Sequence, residues 1–164
     1  MKDTRQVAVI IQRRALDNRW QSEVWEPVGV LNGYEAEKSP RVLVDNGDIK
    51  QWLYPGFEIE LALAEAEGYY HNVSSNQPCV FVLWRMEDGK AVPQFATVSY
   101  DEASRWMDGG ESVDRVPMTP ELFAWVGEFV EKNYRFTPKK RVRPQSFLSP
   151  QDRAPMSPKK QDRR

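Results

Sequence analysis

The sequence predicts an α+β fold: a strongly twisted antiparallel β-sheet of six or seven strands, covered by two C-terminal helices and followed by a disordered basic tail. Three observations carry this expectation. Residues 6–99 are a series of short, apolar-alternating runs joined by tight turn signals. Two amphipathic stretches with recognisable helix caps come next. The last thirty residues then hold ten Lys/Arg against two Asp/Glu, with five prolines.

Gln6 to Arg13 is a β-rich run around Val7, Val9 and Ile11. Ser22 to Leu31 alternates Val24, Glu26, Val28 and Val30 against Glu23, Trp25, Pro27 and Gly29. Pro27 has no backbone donor, which puts this strand at an edge or bulges it there. Arg41 to Val44 and Ile49 to Tyr54 flank Asn46-Gly47, a hairpin signal because both residues tolerate positive φ. Pro55-Gly56 reads as another turn, followed by the half-buried strand Phe57, Ile59, Leu61, Leu63. Cys79 to Met86 turns through Asp88-Gly89 into Val92 to Ser99. Ala64 to Val73 fits either a helical turn or a continued strand.

The first helix opens with Ser99 and Glu102 as a capping box, puts Ala103, Trp106 and Met107 on one face, and ends at Gly109-Gly110. The second opens with Thr119 as N-cap and Pro120 at the first helical position. Leu122, Phe123, Val126, Phe129 and Val130 form its apolar stripe.

The chain has 164 residues, so one domain is expected; at 40% apolar and 12% aromatic it can build one core. The boundary falls near Tyr134, giving a domain over residues 1–134 and a tail over 135–164. The tail carries a net +8, and the other 134 residues, with 13 basic and 22 acidic side chains, carry −9. The tail has too few apolar residues to offset its ordering entropy. The overall charge of −1 and pI of about 5.9 argue against general affinity for nucleic acid. Val7 to Ile11 is too short for a signal-peptide core or a membrane span, and Arg13-Arg14 is not followed by an apolar stretch, so a cytoplasmic location is expected.

One cysteine excludes a disulfide within the chain. One cysteine and one histidine leave too few soft ligands for an iron–sulfur cluster or structural zinc, and no cofactor is expected. The chain has no G-x-G-x-x-G, no P-loop, no H-E-x-x-H and no G-x-S-x-G. Cys79 opens an apolar strand and reads as a small buried hydrophobe rather than a nucleophile. The expectation is therefore a protein that is not an enzyme.

Three patches remain. Arg13, Arg14, Arg19 and Trp20 combine the residue types enriched at binding hot spots. Trp25 reads as structural, as do Trp84, Trp106 and Trp125. The basic run Lys139, Lys140, Arg141 and Arg143 suits electrostatic steering towards an acidic partner. Tyr69, Tyr70, His71 and Asn72, with Arg85, could line a ligand pocket; the competing reading makes the tyrosine a core residue and Asn72 a turn cap.

One resemblance spans nearly the whole chain. Its motifs are Val9-Ile-Ile-Gln-Arg13-Arg14-Ala-Leu-Asp-Asn-Arg-Trp20, Trp25-Glu-Pro-Val-Gly-Val, Tyr54-Pro-Gly-Phe-Glu-Ile-Glu-Leu61, Glu65-Ala-Glu-Gly-Tyr69-Tyr-His-Asn72, Val82-Leu-Trp84-Arg85 and Val116-Pro-Met118, then a Pro-Lys-Lys-Arg tail. In this order they resemble a bacterial family, domain of unknown function 3305. Such proteins tend to be encoded beside formate dehydrogenase subunits and their maturation factors. The resemblance implies an accessory role in making or regulating a molybdenum or tungsten enzyme, and it supplies no catalytic residues.

The expected function is thus a non-enzymatic adaptor that binds another protein, such as a formate dehydrogenase subunit or maturation factor. Its contact surface would be Arg13, Arg14, Arg19, Trp20 and the tail bases. An exposed edge strand would also allow a homodimer. The alternatives are a small-ligand or enzymatic pocket around His71, and nucleic-acid binding through the tail.

Overall fold

The computed structural model describes residues 3–33 and 39–135. Among these residues there are seven strands, all paired antiparallel, and three α-helices. The strands are β1 (Asp3–Ala15), β2 (Glu23–Asn32), β3 (Arg41–Asp45), β4 (Ile49–Leu61), β5 (Cys79–Glu87), β6 (Lys90–Thr97) and β7 (Ser112–Pro117). The helices are α1 (Ala66–Val73), α2 (Tyr100–Asp108) and α3 (Pro120–Asn133).

The α+β class and antiparallel pairing are as the sequence predicts, but the strands divide into two sheets, ordered β2-β1-β4-β3 and β6-β5-β7. The division falls where the sequence was ambiguous. A 3-10 turn at Leu63–Glu65 and then α1 occupy the stretch between β4 and β5, so the two strands are not joined as a hairpin, and β5 starts the second sheet. The two sheets share one core. Val7, Val9, Ile11, Val30, Ile59 and Leu61 come from the first sheet. They meet Val80, Val82, Ala91, Val98 and Val116 from the second, closed by Leu122, Val126 and Val130 of α3. Cys79 and Phe81 point to the other face of β5 and pack on Ala103 of α2. Burial on both faces explains the unbroken apolar run that opens β5.

Pro27 behaves as expected. β2 is an edge strand, and its register slips between Ile10↔Gly29 and Ile11↔Pro27, a bulge beside the proline. Pro55-Gly56 does not: β4 runs through it. Val9 pairs with Tyr54 and Val7 with Phe57, so two residues of β4 face one of β1. Gly56 takes φ +92, which makes the feature a bulge that bends a single strand instead of a turn that ends it. Asn46-Gly47 turns as predicted, with Gly47 at φ +93 and Asn46 Oδ1 accepting from the Ile49 amide at 2.8 Å. Asp88 and Gly89 both take positive φ, as a tight hairpin requires.

Both predicted helix caps form. Ser99 Oγ accepts from the Glu102 amide and Thr119 Oγ1 from the Leu122 amide. The Glu102 carboxylate, however, receives the Thr97 hydroxyl rather than the Ser99 amide, so only half of the capping box is made. The sequence pattern does not predict β7. Its Ser-Val-Asp-Arg-Val-Pro sequence has little apolar alternation, and it forms because β5 offers a free edge.

Candidate functional site

The β1–β2 loop stands at one end of the first sheet and is held by three hydrogen bonds, two between backbone groups and one to the Asn18 side chain. The Leu16 amide donates to Ser22 O at 2.8 Å, and the Ala15 amide reaches Asp48 O of the neighbouring β3–β4 loop at 2.7 Å. Asn18 Oδ1 accepts from the Trp20 amide at 2.8 Å, an Asx turn that sets the tip. Trp20 at that tip is 84% exposed, and the Arg19 guanidinium lies 5.4 Å from its ring centre. A largely exposed indole on a braced loop is costly in water and is the kind of anchor that partners bury.

Below the tip, Trp25 and Trp52 stack at 5.2 Å, and the Lys50 and Lys90 ammonium groups approach the Trp52 ring at 5.1 and 5.8 Å. Trp25 also donates from Nε1 to Glu23, which supports its structural reading. Trp125 is buried and donates to Asp3, and Trp84 donates to Asp114.

Arg13 and Arg14 are neighbours on a strand and so face opposite sides of the sheet. Arg13 lies in register with Trp25 and Lys50 and donates to Gly47 O at 3.4 Å. It therefore joins the end that carries Arg19 and Trp20. Arg14, at the same end of β1, lies 3.6 Å from Glu26 on the other face of the sheet. Lys139, Lys140, Arg141 and Arg143 lie outside the described residues, as does the whole tail from residue 136.

Of the residues of the alternative pocket, Tyr70 and His71 meet edge to face at 5.8 Å between ring centres, and the others point elsewhere. Tyr69 is buried to 2% exposure in the core, and its hydroxyl accepts from the Ala62 amide at 2.9 Å. Burial pushes that phenol up from its ordinary value, partly offset by the Ala62 amide. Tyr70 stacks on Tyr134 at 4.8 Å. His71 faces solvent and lies 3.6 Å from Glu67, one turn back. Asn72 is 1% exposed and serves backbone groups only, apart from a thiol contact with Cys79. Arg85 sits in the second sheet and grips Glu111 with two nitrogens at 3.1 and 2.7 Å. Those bonds hold the Glu111 carboxyl below its ordinary value. The physical reason for the scatter is α1 itself: successive residues on a helix point in different directions, and only three- and four-residue spacing shares a face.

Cys79 is 5% exposed, and burial pushes its thiol up from 9.0 to about 11. It stays protonated at neutral pH and is not an activated nucleophile. A raised thiol is favoured by the fold while it holds its proton. Cys79 should therefore subtract stability as pH climbs between about 9 and about 11, because the unfolded chain releases the proton first. Iodoacetamide should label it only after denaturant unfolds the domain; fast labelling of native protein would contradict this placement.

The sequence reading missed a polar cluster at the junction of α1 and α2. Glu65 accepts from Ser99 Oγ at 2.5 Å and from Arg105 Nη2 at 2.8 Å. Only the Ser99–Glu102 cap within it was legible, because Glu65 lies 34 residues from Ser99. The structure also has a cleft of about 1140 Å³ along α3, with Tyr70, Val73, Phe123, Gly127, Glu128 and Glu131 among its walls. Among the described residues, no group of three or more His, Cys, Asp or Glu is arranged to hold a metal ion, and no helix is long and apolar enough to cross a membrane.

These features define an antiparallel α+β domain in which, among the described residues, the most exposed large apolar side chain stands on a braced loop. The sequence pattern of the family described as "Protein of unknown function (DUF3305)" matches residues 6–143, most of the chain. The protein belongs to that family. No curated protein and no solved structure matches it.

Proposed function

We propose that this protein is a non-enzymatic adaptor, and that it binds another protein through the β1–β2 loop with Trp20 as the central anchor. The observation that carries the reading is the 84% exposure of Trp20 on a loop fixed by three hydrogen bonds, which leaves little ordering entropy to be lost on binding. Arg19, stacked on the indole, and Arg13, at the base of the same end, supply directed donors around it. The partner we assign is a subunit or maturation factor of a formate dehydrogenase-type molybdenum or tungsten enzyme in the cytoplasm. That assignment rests on the gene neighbourhood implied by the family. The basic run Lys139 to Arg143 would speed the encounter through long-range attraction.

The test is capture of partners from native bacterial lysate by tagged full-length protein, identified by mass spectrometry. Trp20→Ala should weaken the captured complex by about 2 kcal/mol or more, roughly thirtyfold. The same change should leave thermal stability within about 0.5 kcal/mol, because the side chain is 84% exposed. Capture of formate dehydrogenase components at equal strength by wild type and variant would refute the anchor. Neutralising the four tail bases should lower the association rate and flatten its salt dependence; an unchanged rate would refute steering.

A further inference from the structure

We propose that β3 pairs antiparallel with β3 of a second copy of this chain, joining two four-stranded sheets into one. Among the described strands, β3 is an edge of the first sheet, with β4 as its one neighbour in the sheet. All five of its residues are exposed, the only strand among the described residues for which this holds. Its centre is nonetheless apolar, with Val42, Leu43 and Val44 at 49, 37 and 38% exposure. The register slips at Leu43, so Val42 pairs with Trp52 and Val44 with Gln51. Trp52 and Gln51 are neighbours on β4 and face opposite sides. The arm therefore offers an apolar side chain to each face of the sheet and, as an edge strand, turns one side of its backbone away from the sheet. The other edge of this sheet cannot grow in the same way, because β2 carries Pro27 and lies against β7.

The occupant follows from charge. β3 reads Arg-Val-Leu-Val-Asp, positive at its start and negative at its end, with no charge between. Antiparallel pairing of two copies sets the Arg41 end of each beside the Asp45 end of the other, and the apolar centres meet. Parallel pairing would set like charges together. A two-fold axis through the seam makes the contact self-complementary and closed, so it stops at a dimer.

The test uses the full-length chain in sedimentation velocity over a concentration series. Wild type should show a concentration-dependent dimer. Arg41→Asp and Asp45→Arg should each weaken self-association about tenfold, since each places like charges at both ends of the seam. An equimolar mixture of the two variants should recover dimer near wild-type strength, because every facing pair is then opposite in sign. Recovery cannot come from the internal Asp45–Lys50 contact, which stays broken in Asp45→Arg, and it shows that both variants are folded. A wild-type monomer at every concentration overturns the proposal. So does a dimer that both variants leave unchanged, or a mixture that does not recover.

Discussion

Replacing Asn72 with alanine should destabilise the domain by about 3–4 kcal/mol, a large share of the roughly 5–15 kcal/mol typical of a folded domain. The side-chain amide donates to Cys79 O at 2.7 Å and to Val98 O at 2.8 Å, and its oxygen accepts from the Cys79 amide at 3.0 Å. It thereby ties α1 to the start of β5 and to the end of the strand pair β5–β6. Alanine leaves an N–H and two carbonyls without this partner at a site that is 1% exposed. Each buried orphan costs roughly 1–3 kcal/mol. Aspartate should be no rescue. A carboxylate can still accept from the Cys79 amide, but it has no proton for the two carbonyls facing it. Burial and those carbonyls would raise its pKa, so the variant should lose stability as pH rises through that raised value. Urea unfolding of wild type, Asn72→Ala and Asn72→Asp measures all of this; an alanine shift below about 1 kcal/mol would show that the bridge is not the strut described.

Gly68→Ala should lower stability by about 2–3 kcal/mol, through overpacking rather than loss of contacts. A methyl there would stand 2.4 Å from Ser99 Oγ and 3.2 Å from the Asp101 backbone nitrogen. Ser99 Oγ cannot swing away cheaply, since it caps α2 through the Glu102 amide and donates to Glu65. Relief requires either breaking the cap or moving α1 off α2. Gly127→Ala is the matched comparison: it also lies inside a helix, but its methyl would meet nothing within 4 Å. That variant should gain about 0.5–1 kcal/mol from helix propensity alone. Opposite signs for the two glycines are the expected result; two stabilising alanines would remove the close-approach argument.

Much of the fold is legible in local sequence. The Asn46-Gly47 and Asp88-Gly89 turns, the Ser99 and Thr119 caps and the bulged edge at Pro27 depend on residues a few positions apart, and each can be read from its own window. The candidate site was legible in part. Trp20 with Arg19 stood out as a polar loop around an indole, and the structure keeps them together. Arg14 was grouped with Arg13 by adjacency, and strand alternation separates them. Tyr69 to Asn72 formed the densest polar-aromatic patch in sequence. On a helix that patch splits into a core tyrosine, an exposed histidine and a buried clamp.

The sequence by itself determined the α+β class, the antiparallel pairing and the helix ends, because these follow from apolar periodicity and turn chemistry at short range; it did not determine all of the burial, since Leu63, Met107 and Phe123, apolar positions of its patterns, are 69, 47 and 45% exposed. Only the tertiary structure decided that Pro55-Gly56 bends a strand instead of ending it, that the strands part into two sheets around α1, and that Asn72 and Gly68 are structural. The reason is that these outcomes depend on a partner distant in sequence: β1 running past the bulge, Cys79 and Val98 presenting backbone groups to one amide, and Ser99 closing on a missing methyl.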